Sequence, residues 1–218
     1  FIMSLTKETQ KRKDFHHLRE VINQGMPLVM FDRIADEIYC DKVVIDDAQG
    51  AYIAVNRLIQ EGRKRIALIT TVDYISVGHL RTLGYKNALT DAGLPYNENL
   101  VLKIEDMDCD HEIRHLFNNN TFDAIFCVNE YFAVSALREA RNKGLNVPQD
   151  LSIIAFSDGI LAKNSYPALT TVDQHGFQMG EIAAKMLIEK LEETTEDEYY
   201  RTEVIRTSLI ERDSTKSI

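Results

Sequence analysis

Four polar pairs recur at one kind of place in this chain, directly after a short apolar run. Asp32-Arg33 follows the run ending at Phe31, and Asp46-Asp47 the run ending at Ile45. Asn129-Glu130 follows the run ending at Val128, and Ser157-Asp158 the run ending at Phe156. Carboxylates and amides so placed can accept and donate hydrogen bonds to the hydroxyls of a small polar ligand. The same residue types cap helices and form turns, so each pair has a structural reading beside the functional one. A second arrangement points to different chemistry. His111-Glu112-Ile113-Arg114-His115 matches HExxH, in which two histidines four apart on a helix hold zinc and the glutamate acts as base. Here Asp108 and Asp110 flank the motif on a short helix, and no third ligand is evident although His79 and His175 exist. No G-x-S-x-G and no glycine-rich phosphate loop occurs, so acyl transfer and nucleotide chemistry lack support. The expectation is a protein that is not an enzyme, with no catalytic residue, no metal and no cofactor.

The elements that would position these pairs alternate along the chain. Strands are expected at 28–31, 42–45, 66–69, 100–104, 124–128 and 152–156, and one last strand at 202–210. Helices are expected from Gly50 to Gly62, with Ala51, Ala54, Val55, Leu58 and Ile59 on one face, and at 80–92, closed by Gly93. Further helices are expected at 110–117, through Ala133, Ala136, Leu137 and Ala140 to Gly144, and at 176–191 with Met179, Ala183, Met186 and Leu187 facing inward. The acidic run 192–198 reads as a solvated loop. Strands of about five residues separated by helices imply parallel sheets covered on both faces. In such sheets ligands sit beyond the carboxyl ends of the strands, which is where the four pairs fall.

The 218 residues, 44% of them hydrophobic, suffice for one large or two small cores. With 25 Lys+Arg against 34 Asp+Glu the net charge is −9, so the chain as it stands repels phosphate and is a poor nucleic-acid binder. Cys40, Cys109 and Cys127 are odd in number and form no CxxC, which reads as reduced structural thiols in a cytoplasmic protein. Asn119-Asn120-Thr121 fits a glycosylation sequon, but nothing else suggests secretion. No apolar run approaches the roughly 18 residues a membrane span needs, so no membrane partner is expected. The start at Phe1-Ile2-Met3-Ser4-Leu5 resembles neither an initiator nor a signal peptide and reads as a strand entered mid-chain, hence a fragment.

Several segments, in order, resemble the LacI/GalR (lactose-repressor) family. Val44-Ile45-Asp46-Asp47-Ala48-Gln49-Gly50-Ala51 resembles the segment in which a strand passes through Asp-Asn into a glycine-containing helix. Leu58-Ile59-Gln60-Glu61-Gly62-Arg63-Lys64-Arg65-Ile66-Ala67 is similar to its helix-to-strand turn, and Arg81-Thr82-Leu83-Gly84-Tyr85 with Ala92-Gly93-Leu94-Pro95 to its next block. Asp123-Ala124-Ile125-Phe126-Cys127-Val128-Asn129-Glu130 resembles the block with Asn-Asp after a strand. Gly144-Leu145-Asn146-Val147-Pro148-Gln149-Asp150-Leu151-Ser152 and Pro167-Ala168-Leu169-Thr170-Thr171-Val172-Asp173-Gln174 continue the match, which spans 28–191.

The resemblance implies an α/β, periplasmic-binding-protein-like fold: two doubly wound parallel-sheet lobes with a ligand cleft between them, the first lobe incomplete. Residues 1–45 and 176–201 would form the DNA-proximal lobe and 46–173 and 202–213 the distal one, with crossings near Asp46, Gln174 and Thr202. The helix-turn-helix headpiece would be absent. The implied function is effector sensing for a transcription regulator, in which a sugar or related polar metabolite shifts operator affinity. A transport-associated solute-binding protein of the same fold is the alternative. Effector contacts carried over by position are Asp32, Arg81, Asn129, Asp158 and Gln174, with Met107 near an aromatic contact. A structural role for Arg81, as a surface arginine on a helix, stands beside its functional one. Two departures stand out. Ser157 replaces the first Asp of an Asp-Asp pair, and Ile69-Thr70-Thr71 replaces a Gly-Gly turn. The implied partners are the effector, operator DNA through the missing headpiece, and a second copy in a homodimer. That dimer would use the helix from Ala51, through residues such as Tyr52 and Asn56.

Overall fold

A computed structural model describes residues 1–106, 108–192 and 200–217. In chain order its elements are β1 (Ile2–Met3), α1 (Lys7–Arg12), α2 (His16–Asn23), β2 (Val29–Phe31), β3 (Asp41–Ile45), α3 (Asp47–Gln60), β4 (Ile66–Thr71) and α4 (Ser76–Asp91). Then follow β5 (Val101–Ile104), α5 (Asp110–Asn119), β6 (Ala124–Cys127), α6 (Glu130–Asn142), β7 (Ser152–Phe156) and α7 (Ile160–Asn164). The series closes with β8 (Thr170–Asp173), α8 (Gly176–Glu192), β9 (Thr202–Ile205) and β10 (Ser208–Ile210). The acidic run expected as a loop lies, from 193 onward, outside the described residues, as does Met107. Among the described residues no helix is long and apolar enough to cross a membrane.

The chain divides into two compact units. The first comprises Phe1–Asp46, Tyr74–Val77 and His175–Arg206. Its sheet runs β1-β2-β3-β9, with every neighbour parallel. Leu5, Phe15, Leu18, Leu28, Met30 and Ile38 form one core cluster. The long helix α8 packs on β2 and β3 through Met179, Ala183 and Met186, three or four residues apart, which places them on one helical face. Leu187 of the expected face is only half-buried.

The second unit comprises Asp47–Asp73, Gly78–Gln174 and Thr207–Ile218. Its sheet runs β10-β8-β7-β6-β4-β5, parallel except where β10 pairs antiparallel with β8. Every residue of β6 and β7 is buried, as expected of central parallel strands covered on both faces. Because β4 lies between β5 and β6, the chain reverses its direction of progress across the sheet there. The carboxyl ends of β4 and β6 therefore border a switch point, where a crevice opens in such sheets. Gly62, Gly93 and Gly144 end α3, α4 and α6 with φ of +86°, +67° and +71°, a conformation open to glycine at little cost.

Two expectations need correcting. The single strand expected at 202–210 is two edge strands in different sheets: β9 pairs with β3, and β10 with β8. Residues Thr202–Ile205 therefore belong with the first unit, and the third crossing falls at Arg206–Thr207 rather than near Thr202. In β9 only Ile205 is buried, so backbone pairing holds it and side-chain alternation carries little signal of the break. The helix expected at 80–92 begins one turn earlier, at Ser76. The three cysteines are free and buried, and burial pushes the Cys40 thiol up to about 11.

Candidate functional site

The carboxyl edge of the six-stranded sheet gathers most of the expected residues. Because α4 starts at Ser76, Arg81 sits in its second turn rather than opening it, and it is only 4% exposed. Its Nε donates to Asp47 Oδ1 at 2.7 Å, and its Nη1 donates to the carbonyl of Val128, just past β6, at 2.6 Å. Phe156, the last residue of β7, offers its ring face to the guanidinium, with Arg81 Cζ 3.7 Å from the ring centroid. These contacts use two of the three guanidinium nitrogens, and no hydrogen bond among those described uses Nη2. A fork held this rigidly can present its remaining nitrogen to an oxygen-rich ligand without losing side-chain entropy on binding.

The helices reach this geometry through glycine. A Cβ at Gly84 of α4 would stand 2.1 Å from the carbonyl oxygen of Ala48, so α3 and α4 cross at backbone contact only because Gly84 has no side chain. A Cβ at Gly50 would stand 3.0 Å from the Phe156 ring and 2.8 Å from Thr207 Oγ1. That glycine lets α3 close on the ring under Arg81.

Next along the edge, Asn129 caps α6, its Oδ1 accepting from the Phe132 amide at 2.8 Å. Its carboxamide oxygen thus serves the helix, while its Nδ2 makes no hydrogen bond among those described. Beyond β7, Ser157 has φ +81°, and its hydroxyl accepts from Gln174 Nε2 at 2.9 Å. Asp158 is held by the Thr171 hydroxyl at 2.7 Å, Arg212 at 2.6 Å and Lys163 at 3.0 Å. Burial alone would raise the Asp158 pKa, but these donors outweigh it and hold the carboxyl below the ordinary aspartate range. Arg81 and Asn129 are thus linked through Val128, and Gln174 and Asp158 through Ser157. Asp32 lies in the first unit, after β2. There it adopts φ +58° with its amide bonded to the Val43 carbonyl at 3.1 Å and its carboxylate 3.6 Å from Arg33 Nε.

Three residues escape the sequence reading. Asp47 was visible only as half of a polar pair, and Phe156 only as the end of an apolar strand. Thr71, at the end of β4, has a buried hydroxyl without a hydrogen-bond partner among the described residues. It occupies the gap left by Gly78 of α4, where a Cβ would stand 1.8 Å from its Oγ1. A groove of about 570 Å³ in the first unit, bordered by Arg19, Glu37, Tyr39 and Tyr200, contains none of the expected residues. The HExxH segment forms α5, with Ile113 and Leu116 buried and both histidines exposed. Among the described residues no group of three His, Cys, Asp or Glu could hold a metal.

Comparison with known proteins follows the same architecture. The model of the periplasmic binding protein-like domain matches residues 55–215. The ribose operon repressor of Haemophilus influenzae is 32% identical over 200 residues, covering 89% of this chain and 59% of that protein. The HTH-type transcriptional regulator RegA of Clostridium saccharobutylicum is 36% identical over 201 residues, covering 90% and 60%. Among solved structures, the transcriptional regulator CelR–cellobiose complex superimposes with a TM-score of 0.86 at 29% identity, over 98% of this chain and 64% of that one. The chain thus spans about three fifths of the length of the relatives it matches.

Proposed function

This chain belongs to the periplasmic binding protein-like domain family and, within it, to the LacI/GalR regulators, and we propose that it senses a small polar effector for a cytoplasmic transcription regulator. The observation that carries the reading is the Arg81 fork, locked by Asp47, Val128 and Phe156 at the carboxyl edge of the sheet with Nη2 left for a ligand. Asn129 Nδ2, unused while Oδ1 caps α6, supplies a further polar group along that edge. Asp158 and Gln174 hold its far end, while Asp32, in the first unit, is a contact that only the family resemblance implies. A sugar fits this set of fixed donors and acceptors, since each hydroxyl both donates and accepts. Binding would favour one conformation of the regulator and so change its affinity for operator DNA, by the same factor in both directions. The role proposed is recognition rather than catalysis, in keeping with relatives that are transcriptional regulators.

Homodimerisation is part of the proposal, and a surface other than the one expected on α3 is proposed for it. The Tyr52 hydroxyl is 3.1 Å from Asp91 of α4, and Gly84 packs α4 against that face. Exposed apolar side chains instead gather on and beside α6 and α7, where Tyr131, Ile160, Leu161 and Tyr166 are 41%, 73%, 42% and 82% exposed. Ile160→Asp should shift the sedimentation equilibrium of the full protein toward monomer, and an unchanged dimer would exclude this surface.

The effector reading is tested by thermal unfolding against a panel of neutral sugars, D-ribose and cellobiose included, followed by calorimetry on the sugar that stabilises the protein. Arg81→Ala is a poor probe, because it would strip the buried Asp47 carboxylate of its ion-pair partner 2.7 Å away. Arg81→Lys keeps the charge and removes the fork. It should weaken binding about tenfold to a hundredfold, the worth of one charged hydrogen bond.

A further inference from the structure

The fixed charge at this edge is balanced at its centre. Arg81 and Asp47 form an ion pair of 2.7 Å between side chains only 5% and 4% exposed. Asp47 stands where the family pattern passes through an asparagine after the strand's aspartate. An asparagine could accept the same hydrogen bond from Arg81 Nε, but it could not cancel the guanidinium charge. A half-buried cation beside Asp158, Arg212, is likewise matched, by that carboxylate at 2.6 Å.

We propose that Asp47 is a specificity-determining residue: by neutralising Arg81 it restricts the effector to an uncharged, hydroxyl-bearing molecule and excludes phosphorylated or carboxylated ones. The inference rests on the effector reading above and narrows its ligand class. An anion brought to Arg81 Nη2 also comes within a few ångströms of the Asp47 carboxylate. Its attraction to one charge is then largely offset by repulsion from the other. The cost of stripping water from the anion remains in full. The Phe156 ring, electron-rich on the face it turns to Arg81, adds no compensation for a negative ligand. A neutral hydroxyl has a far smaller dehydration cost and still receives a charge-assisted hydrogen bond.

The probe is inorganic phosphate, compared with chloride at equal ionic strength, by thermal unfolding and calorimetry on the whole protein. Wild type should show no phosphate-specific stabilisation. Asp47→Asn should bind phosphate at least tenfold more tightly than wild type and gain a phosphate-dependent rise in Tm, as linkage requires of a ligand that binds only the folded state. The double variant Asp47→Asn/Arg81→Gln should lose both. Asp47→Ser carries the same comparison if Asp47→Asn does not fold. Phosphate binding by wild type as tight as by the variant, no gain in the variant, or a gain that survives in the double variant would each overturn the proposal. Failure of the effector reading would look different: no neutral sugar would distinguish wild type from Arg81→Lys, whatever phosphate did.

Discussion

The second unit holds two buried arginine clusters, and they are built on opposite principles. In one, Glu61 is fully buried between Arg57 and Arg63. Arg57 also reaches Glu211 at 2.8 Å and the Lys216 carbonyl at 2.5 Å, while Arg63 also reaches Ser152 Oγ at 2.8 Å and the Pro148 carbonyl. Both Nη atoms of each arginine are engaged, and only Arg57 Nε lacks a partner among the described residues. In the other cluster, Arg81 has one carboxylate, one carbonyl and one ring, all arranged so that a nitrogen is left over at a strand edge. Burial and ion pairing are alike in the two. What differs is the spare donor: the first cluster ties the end of α3 to the C-terminal segment and buries its unused Arg57 Nε, whereas the second leaves over Arg81 Nη2, which is not among the buried unpartnered atoms of the described residues.

The largest effect that could break this contrast comes from the Glu61 cluster. Glu61→Ala leaves two buried guanidiniums without their shared carboxylate and should cost about 3–5 kcal/mol of stability, read from urea unfolding. A loss no larger than that of a surface change would show that the cluster is not structural. Second, Gly84→Ala forces a methyl into the Ala48 carbonyl and should cost about 1–3 kcal/mol. It should also weaken effector binding, because α4 carries Arg81. Destabilisation with unchanged effector affinity would separate the helix crossing from the site.

Acid sharpens the contrast further. The Glu211 carboxyl is held below its ordinary range chiefly by its hydrogen bond from Arg57, and Asp158 is depressed by its three donors despite burial. A folded-state pKa below the unfolded one contributes stability that is complete above the unfolded value and disappears as pH falls through the folded value. Tm should therefore drop on acidification below the ordinary carboxylate range, and Asp158→Asn should flatten part of that drop. An unaltered profile in that variant would remove Asp158 from the account. The smallest effect is expected outside both clusters. Replacing His111 and His115 by alanine on the exposed face of α5 should change stability by less than about 0.5 kcal/mol and leave effector binding intact.

How much of this was legible in the sequence depends on where the signal lies. The strands β6 and β7 were plain because every residue is buried and the runs are apolar throughout. The face of α3 was plain from its spacing, and the family resemblance carried Arg81. The start of α4 was missed because Ser76, Gly78 and His79 supply no apolar stripe, and α1, short and mostly charged, gave no periodicity. The partnership of Asp47 with Arg81 bridges 34 positions, and no local pattern announces a contact of that kind. The burial of Arg81 was hidden for the same reason: it follows from a partner and a ring that only the fold assembles.

Effector recognition, in the proposal, falls to Arg81 and its unused Nη2. Calorimetry of the stabilising neutral sugar with wild type and Arg81→Lys tests it most directly, with urea unfolding of both as the control. The account predicts a loss of affinity of about tenfold or more with a nearly unchanged unfolding midpoint. Equal affinity in the two proteins, with the sugar still raising Tm, would place recognition elsewhere and contradict it.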